Sequence, residues 1–346
     1  MALLNLSDEL WDARPGYLNT ASYGLPPRRA WAAFQAALEE WHVGATSWEP
    51  WADSVDKARA SFARLVHAAP ENVLTCAAVS EIAGLVAAAL PDGSDVVVPE
   101  GEFTSIVFPW AVHADRGITV REAPLDQLAA AIDDRTTLVA FSVVQSADGA
   151  IADTAAITAA ARVHGAMTFL DATQAAGWFP VDATEVDVLA CANYKWLMSP
   201  RGTAFGVVSR DFAARLRPLN AGWFAGDDVH RSYYGLPLRL AVDARRFDIS
   251  PAWHCWVGTA ATLELVEAVG VDAIHEHDTG LAARFRAGLG LPPLGSAIVA
   301  FNHVGAQEKL DRAGIRAAVR EGAVRVSFHV YNTEADVDLA LEALAG

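Results

Sequence analysis

Short apolar segments rich in β-branched residues alternate with segments of helical spacing along most of this 346-residue chain. The apolar segments predict strands at residues 71–77, 94–100, 118–124, 136–144, 166–171, 186–194 and 203–209. The intervening segments predict helices at residues 28–42, 52–67, 80–90, 106–117, 125–133 and 154–165, with Ser80 as the cap of the third. Continuous apolar strands between helices are typical of a parallel sheet covered on both faces. We therefore predict a three-layer α/β domain with a mainly parallel sheet.

The pattern changes after residue 255. Helices are predicted at residues 256–270, 274–289 and 333–345, and strands at residues 297–303, 315–322 and 323–330. These elements predict a smaller C-terminal α/β domain. We assign residues 18–250 to the large domain, and residues 1–17 and 251–346 to the small domain.

Composition narrows the classes of function. The chain has 26 basic and 42 acidic residues, a net charge of −16, which repels nucleic acid and anionic membranes. No apolar run reaches the roughly 18 residues of a membrane span, and the acidic N-terminus does not resemble a signal peptide. Cys76, Cys191 and Cys255 form no CxxC pair, so neither a disulfide framework nor a cysteine zinc site is expected. We predict a cytoplasmic protein without nucleic-acid or membrane partners.

The sequence gives little support for a nucleotide-binding site or a metal site. No G-x-G-x-x-G follows a predicted strand and no G-x-x-x-x-G-K occurs, which counts against the common dinucleotide and nucleoside-triphosphate sites. The string His275-Glu276-His277-Asp278 contains metal-ligating residue types, but histidines two apart on a helix point in different directions. We interpret this string as a solvated helix face and predict no metal site.

Lysine occurs at only three positions, Lys57, Lys195 and Lys309, which shortens the search for a reactive amine. Lys57 and Lys309 lie in helical segments and are interpreted as solvated surface residues. Lys195 follows the predicted strand 186–194 and lies in the apolar stretch ANYKWL. Asp171 ends the strand before that one, at residues 166–171. Because the carboxyl ends of parallel strands converge on one crevice, we expect both side chains at one site. From these residues alone, two interpretations of Lys195 are equally supported: a surface or ion-paired lysine, and a reactive amine.

The segments around these two residues carry a family resemblance. Asp171-Ala-Thr-Gln174, followed by Lys195 ahead of Ser199-Pro200-Arg201-Gly202, resembles the core of the class V aminotransferase family, and the resemblance extends from residue 17 to residue 340. It implies a fold-type I enzyme with pyridoxal 5′-phosphate (PLP) as cofactor. Lys195 is then the catalytic amine that binds PLP, and Asp171 pairs with the protonated ring nitrogen. Gln174 donates a hydrogen bond to the phenolic oxygen of the ring.

The same resemblance assigns the phosphate site. Val79 and Ser80, at the start of a predicted helix, correspond to the family's phosphate-binding pair, where free N–H groups favour an anion. Tyr194 resembles a tyrosine that reaches the phosphate in kynureninases. Ser250 resembles the segment that a second subunit contributes, which implies a homodimer with a shared active site.

Three further residues are assigned to the ring and the substrate. Phe103, in the loop after the second strand, corresponds to an aromatic residue that stacks on the ring, with an ordinary core phenylalanine as the alternative. Ser146 stands where many relatives have an asparagine near the ring oxygen. Arg325 corresponds to the arginine that binds the substrate carboxylate, because a guanidinium offers two parallel donors to that planar group. The alternative for Arg325 is a structural salt bridge with Glu321 or Glu334, and Arg320 is the nearest competitor for the carboxylate-binding role.

The reaction is less constrained than the cofactor. We favour transamination of an amino acid or a related primary amine, with carbon–sulfur β-elimination, epimerisation or a biosynthetic specialty as alternatives. A cysteine desulfurase with a persulfide-forming loop cysteine is disfavoured, because residues 315–327 contain no cysteine. A non-catalytic scaffold protein is disfavoured by the presence of both Lys195 and Asp171.

Overall fold

The computed structural model describes residues 10–346, in which the strands form two separate sheets. Residues 1–9, part of the predicted small domain, lie outside the described residues. The strands are β1 (Val73–Cys76), β2 (Asp95–Pro99), β3 (Thr119–Ala123), β4 (Thr136–Ser142), β5 (Met167–Asp171), β6 (Val188–Ala192), β7 (Ala204–Val208), β8 (Ile298–Phe301), β9 (Ala318–Arg320) and β10 (Ala323–Ser327). The α-helices are α1 (Arg28–His42), α2 (Glu49–Leu65), α3 (Val79–Ala89), α4 (Phe108–Ala111), α5 (Leu128–Ala131), α6 (Thr154–His164), α7 (Arg210–Ala213), α8 (Trp253–Val269), α9 (Val271–Gly288), α10 (Ala306–Arg312) and α11 (Glu334–Ala345). Short 3-10 helices occupy Pro70–Asn72, Thr104–Ile106, Ala114–Arg116, Leu125–Gln127, Ala183–Glu185, Trp223–Ala225, Val229–Arg231 and Ala244–Phe247.

The large sheet has seven strands in the order β1-β7-β6-β5-β4-β2-β3. β7 runs antiparallel to its neighbours β1 and β6, while the β2/β3, β2/β4, β4/β5 and β5/β6 pairs are parallel. The register places Ser142 beside Asp171, and Asp171 beside Ala190. The carboxyl ends of three central strands therefore lie level at one edge of the sheet, as predicted.

Apolar side chains of successive strand residues point to opposite faces of this sheet. Val97, Val139 and Leu170 belong to one core cluster, which includes residues of α2, α6 and α8. Val96, Leu138 and Phe169 belong to a second cluster, which includes residues of α3 and the Trp110 indole of α4. The sheet is thus covered on both faces, which confirms the predicted three-layer α/β fold.

The small sheet is antiparallel, in the order β8-β10-β9, and packs with α9, α10 and α11 around a third core cluster. The N-terminal segment joins it, because Leu18 donates its N–H to the Arg316 carbonyl and Ser327 donates to the Leu18 carbonyl. α8 lies against α1 and α2 instead, where Glu264 pairs with Arg29. The residue at which the two domains divide stays a prediction.

Two predictions about helices of the large domain are wrong. The predicted helix 106–117 is broken into α4 and two 3-10 turns and ends at Gly117, which has a φ of 74°. Ser80 is not a cap, because α3 already begins at Val79 behind Ala78, whose side chain makes no capping bond.

The string 275–278 is not a solvated face either. His275 stacks on Trp178 with an interplanar angle of 5°, and Asp278 is fully buried. This face of α9 packs against the large domain. Its charged and polar residue types are therefore buried, although the sequence pattern predicts that they are exposed to solvent. Residues 10–346 contain no cluster of three or more His, Cys, Asp or Glu side chains able to hold a metal ion. Nor does any helix in that range combine the length and apolar character needed to cross a membrane.

Candidate active site

A cavity of about 160 Å³ opens at the carboxyl ends of the parallel strands. Its lining residues are Ala77, Ala78, Val79, Ser80, Phe103, Ser105, Ser142, Ser146, Asp171, Thr173, Gln174, Ala192, Tyr194, Lys195 and Arg201. Eight of the ten residues that we assigned from the sequence are among them. The other two are Ser250, an exposed residue that does not line the cavity, and Arg325, which contacts the lining residue Ser146.

Lys195 lies in the loop after β6, and only 6% of it is exposed. Its Nζ is 5.3 Å from the centroid of the Phe103 ring and 5.7 Å from that of Tyr194. Burial lowers the pKa of the Lys195 amine to about 8; the Asp171 carboxylate opposes this effect and the Arg325 guanidinium adds to it. A substantial fraction of this amine is therefore neutral, and able to act as a nucleophile or base, near neutral pH.

Asp171 ends β5 as a buried carboxyl group. Burial raises its pKa to about 6, although hydrogen bonds from Thr173 and the charge of Lys195 favour the ionised form. The Thr173 N–H donates to Oδ1 at 2.8 Å, and the Thr173 hydroxyl accepts the Ala192 N–H at 3.0 Å. Thr173 thus ties the aspartate to the start of the lysine loop. The sequence analysis missed this residue, although it lies within the Asp171–Gln174 motif.

The Gln174 side chain is held in one orientation. Its Oε1 accepts the indole N–H of Trp196 at 2.8 Å, so the amide nitrogen must face the other way. That nitrogen donates to the Ala21 carbonyl at 3.0 Å and to the Ser146 hydroxyl at 2.9 Å. Both amide hydrogens are engaged, so the predicted bond to a cofactor oxygen requires one of these contacts to be exchanged. That role stays a prediction.

The start of α3 faces the cavity through Val79 and Ser80. N–H groups in the first turn of a helix have no carbonyl partner within it and favour an anion. Opposite them, Phe103 is 45% exposed, so it is not a core residue. Its loop is anchored by the buried Glu102 carboxylate, which accepts hydrogen bonds from the Ser142 amide at 2.8 Å and the Gln145 side chain at 2.9 Å. Glu102 was not predicted, and nothing in its local sequence pattern indicates this role.

Arg201 is a further lining residue without a role in our sequence analysis, although it lies in the quoted Ser199–Gly202 turn. Its guanidinium lies 4.8 Å from the Tyr194 ring centroid and donates to the Tyr23 hydroxyl at 2.9 Å. The Tyr194 and Tyr23 rings lie 5.3 Å apart. Burial raises the pKa of Tyr194, which keeps its hydroxyl protonated. This corner of the cavity therefore combines one cation with two hydroxyl donors.

Arg325, on β10, is 1% exposed. Its guanidinium donates to the Ser146 carbonyl and hydroxyl and, at 2.8 Å, to the Ser22 hydroxyl. Within residues 10–346 no carboxylate lies within 4.0 Å of it, and Glu334 pairs with Arg284 instead. Burial, and secondarily the charge of Arg320, lowers the pKa of Arg325 to about 10. A buried cation on hydroxyl and carbonyl oxygens, without a counter-ion, is suited to bind an anion.

The small domain also contacts the lysine loop. His329 is fully buried, with Nδ1 2.7 Å from an Asp278 carboxylate oxygen and Nε2 2.9 Å from the Trp196 carbonyl oxygen. The Trp196 indole in turn donates to Gln174. A continuous set of hydrogen bonds thus links α9 to the residue that follows Lys195.

The cysteines are not placed for catalysis. Cys76 and Cys191 are buried, which raises the pKa of both thiols well above the usual range. Cys255 is half-buried on α8, and burial raises its pKa too. None of the three is among the residues that line the cavity.

Comparison with known proteins agrees with this geometry. The family model described as aminotransferase class-V matches residues 42–300. The chain is 30% identical over 322 residues to an uncharacterized aminotransferase, YcbU, of Bacillus subtilis, covering 87% of this chain and 85% of that protein. It is 27% identical over 339 residues to a probable cysteine desulfurase of Methanothermobacter thermautotrophicus, covering 84% of each. In fold, it resembles a solved structure of the cystine C-S lyase C-DES with a TM-score of 0.87 at 22% identity, covering 96% of this chain and 98% of that one.

Proposed function

The chain belongs to the class V aminotransferase family, whose members are PLP-dependent enzymes, and we propose that it binds PLP through Lys195 and catalyses transamination of an α-amino acid. One observation carries the proposal. A buried lysine and a buried aspartate share a cavity, and the neighbouring Arg325 is a buried cation without a carboxylate partner in the described part of the chain. The cavity thus offers an amine and an acid, and a carboxylate-binding group contacts its lining residue Ser146.

The residues present fit PLP. Asp171 is a buried carboxylate whose pKa is raised to about 6 by burial, so a cationic N–H placed against it would stabilise its charged form. The first turn of α3 offers free N–H groups to a phosphate, and Phe103 offers an exposed ring face. Asp171, Val79, Ser80, Tyr194 and Phe103 would hold the cofactor. Bound PLP supplies a sink for the electrons released at the substrate's Cα.

The ionisable groups of the cavity favour a reaction that needs a single base. Among its lining residues, those with ionisable side chains are Asp171, Tyr194, Lys195 and Arg201. Arg201 stays charged, Tyr194 stays protonated, and Asp171 is assigned to the ring nitrogen. Lys195 Nζ is then the one group able to take a proton from Cα. Transamination needs one such group, because the same amine returns the proton at a neighbouring carbon.

The cofactor assignment is tested with borohydride. The purified protein is incubated with PLP, reduced, digested and analysed by mass spectrometry. We expect the cofactor on Lys195, loss of the label in Lys195→Ala, and full labelling in the matched control Lys57→Ala, because Lys57 is exposed on α2. Cofactor attached to Lys57 or Lys309 in the wild-type protein would contradict the assignment.

The reaction is tested with a panel of amino acids, with 2-oxoglutarate or pyruvate as acceptor. Transfer of the amino group to the acceptor, lost in Lys195→Ala, supports transamination. Release of ammonia together with pyruvate or sulfide, without transfer, would replace transamination by β-elimination. Inversion at Cα without either product would replace it by epimerisation. A desulfurase with a persulfide-forming cysteine is disfavoured by the buried, high-pKa thiols of Cys76 and Cys191.

We also propose a homodimer whose second copy supplies the segment around Ser250. Most apolar side chains of the loop 233–242 are strongly exposed, with Leu236 at 87% and Val242 at 92%, although Ala241 is buried. A contiguous exposed apolar surface of this kind is typical of an interface. Sedimentation at micromolar concentration is expected to show a dimer, and Leu236→Asp a monomer with weaker PLP binding. Val304→Asp, an equally exposed position outside this loop, serves as the control. A wild-type monomer with full PLP occupancy would contradict the proposal.

A cytoplasmic location belongs to the same proposal. All three cysteines are free, which suits a reducing compartment. Fractionation of the native host's cells is the direct test.

A further inference from the structure

The hairpin β9–β10 places beside Arg325 a second guanidinium, that of Arg320, which has no carboxylate partner among residues 10–346. We infer that the substrate is an α-amino acid whose side chain carries a second carboxylate, and that Arg320 binds it. This inference rests on the proposed function, since it takes Arg325 as the site of the first carboxylate.

The hairpin turn fixes the relative position of the two arginines. Arg320 ends β9 and Ala323 begins β10, with Glu321 and Gly322 between them at φ values of 46° and 80°. Positive φ at both central residues is typical of a two-residue type I′ turn, which sets the register of the two strands.

The register places both side chains on one face. Ala318 pairs with Arg325, and Ala323 pairs with Arg320. Arg320 is two residues from Ala318 on the same strand, and side chains two apart point to the same face. Arg320 and Arg325 are therefore diagonal neighbours on that face, a separation that long side chains can bridge.

Ser22 shows where the two guanidinium groups meet. Its hydroxyl oxygen accepts a hydrogen bond from Arg325 at 2.8 Å and another from Arg320 at 3.3 Å. The two donating nitrogens are thus no farther apart than the sum of those distances. Arg325 is buried and Arg320 is exposed, so one cation lies below the protein surface and the other lies at it.

Neither cation has a counter-ion in the described part of the chain. Over residues 10–346 no carboxylate lies within 4.0 Å of either guanidinium, although the chain has 42 acidic and 26 basic residues. Burial is the main cause of the lowered pKa of Arg325, and the charge of Arg320 adds to it. Two like charges that share one hydroxyl repel each other, and an anionic ligand that contacts both relieves this repulsion.

The presence of two cations indicates a substrate with two carboxylates. An α-carboxylate on Arg325 satisfies one cation and leaves the exposed Arg320, which contacts the same Ser22 hydroxyl, free to bind a second anionic group. A carboxylate there gains a charge-assisted hydrogen bond that a neutral side chain lacks. Because the two donors are close together, a short spacer between the carboxylates is sufficient, as in four- and five-carbon amino dicarboxylic acids.

The inference is tested by calorimetry on the PLP-loaded protein, with succinate and butyrate as probes of equal chain length. We expect succinate to bind about fivefold to tenfold more tightly than butyrate. Arg320→Gln should remove this preference and leave butyrate binding unchanged. The control is Arg316→Gln, an exposed arginine on the same segment, which should keep the preference. The ratio of kcat/KM for glutamate over norvaline is expected to fall in Arg320→Gln and to persist in Arg316→Gln.

The outcomes separate this inference from the proposed function. Equal affinity for succinate and butyrate in the wild-type protein, or a preference retained in Arg320→Gln, would overturn the dicarboxylate assignment. If Arg325→Gln still weakens butyrate binding in that case, the proposed carboxylate site stands and only the inference about Arg320 is lost. If Arg325→Gln leaves both affinities unchanged, the carboxylate site of the proposed function itself is wrong.

Discussion

The pKa of Lys195 offers a direct test of the site's electrostatics in the cofactor-free protein. Burial lowers that pKa from 10.5 to about 8, a difference worth about 3 kcal/mol in favour of the neutral amine. At pH 7.5 about a quarter of the Lys195 amines are then neutral, against about one in a thousand for a lysine that titrates at 10.5.

Two substitutions should move this pKa in opposite directions. The Asp171 carboxylate, with a pKa of about 6, is charged throughout the range in which Lys195 titrates. It favours the protonated amine, so Asp171→Asn should lower the pKa of Lys195 further. The Arg325 guanidinium disfavours the protonated amine, so Arg325→Gln should raise that pKa. A burial effect without specific partners would not produce opposite signs.

Competitive labelling with acetic anhydride measures this pKa. Trace acetylation between pH 6 and 11, quantified by mass spectrometry, reports the neutral fraction of each lysine. Lys57 is an internal reference, because its side chain is exposed. We expect a midpoint for Lys195 near pH 8, well below the 10.5 of an ordinary lysine. A midpoint for Lys195 near 10.5, or a midpoint raised by Asp171→Asn, would refute the reasoning.

Three further predictions concern residues around the lysine. Arg325→Lys keeps the charge and loses the two parallel donors, so the KM for amino acids should rise about tenfold or more while PLP absorbance is unchanged. A Cβ at Gly24 would overlap the Lys195 carbonyl oxygen, so Gly24→Ala should abolish PLP binding, whereas Gly84→Ala, with open space around it, should be tolerated in a thermal melt. His329→Ala removes a hydrogen-bond donor to the lysine loop and should lower the free energy of unfolding in urea by about 1–3 kcal/mol. His329→Gln keeps a side-chain N–H, so it should recover part of the lost stability and part of the lost kcat. An Ala variant as stable and active as the wild type would contradict the positioning role.

The large domain was predictable because its signal is local and repeated. Apart from the edge strand β3, the strands of the parallel sheet are short apolar runs, and topology brings their carboxyl ends together without any further information. Asp171 and Lys195 were therefore placed at one site from their positions alone, and the structure brings both into one cavity. Antiparallel pairing of β7 was not foreseen, because an antiparallel strand buried on both faces has the same composition as a parallel one.

The contacts made by the small domain could not be predicted in this way. Ser22 and Arg325 are 303 residues apart in sequence, and His329 lies 133 residues from the loop that it holds. Hydrophobic periodicity does not predict such contacts, because it describes only the segment in which a residue lies. The two partners come into contact only after both domains have folded. The error at Asp278 has the same origin, because α9 looks solvated until His329 and Trp178 are packed against it. The lysine loop thus depends on tertiary contacts from both ends of the chain, Gly24 on one side and His329 on the other. A substitution in either terminal segment should therefore change the chemistry at Lys195 even where the large domain's own motifs are intact.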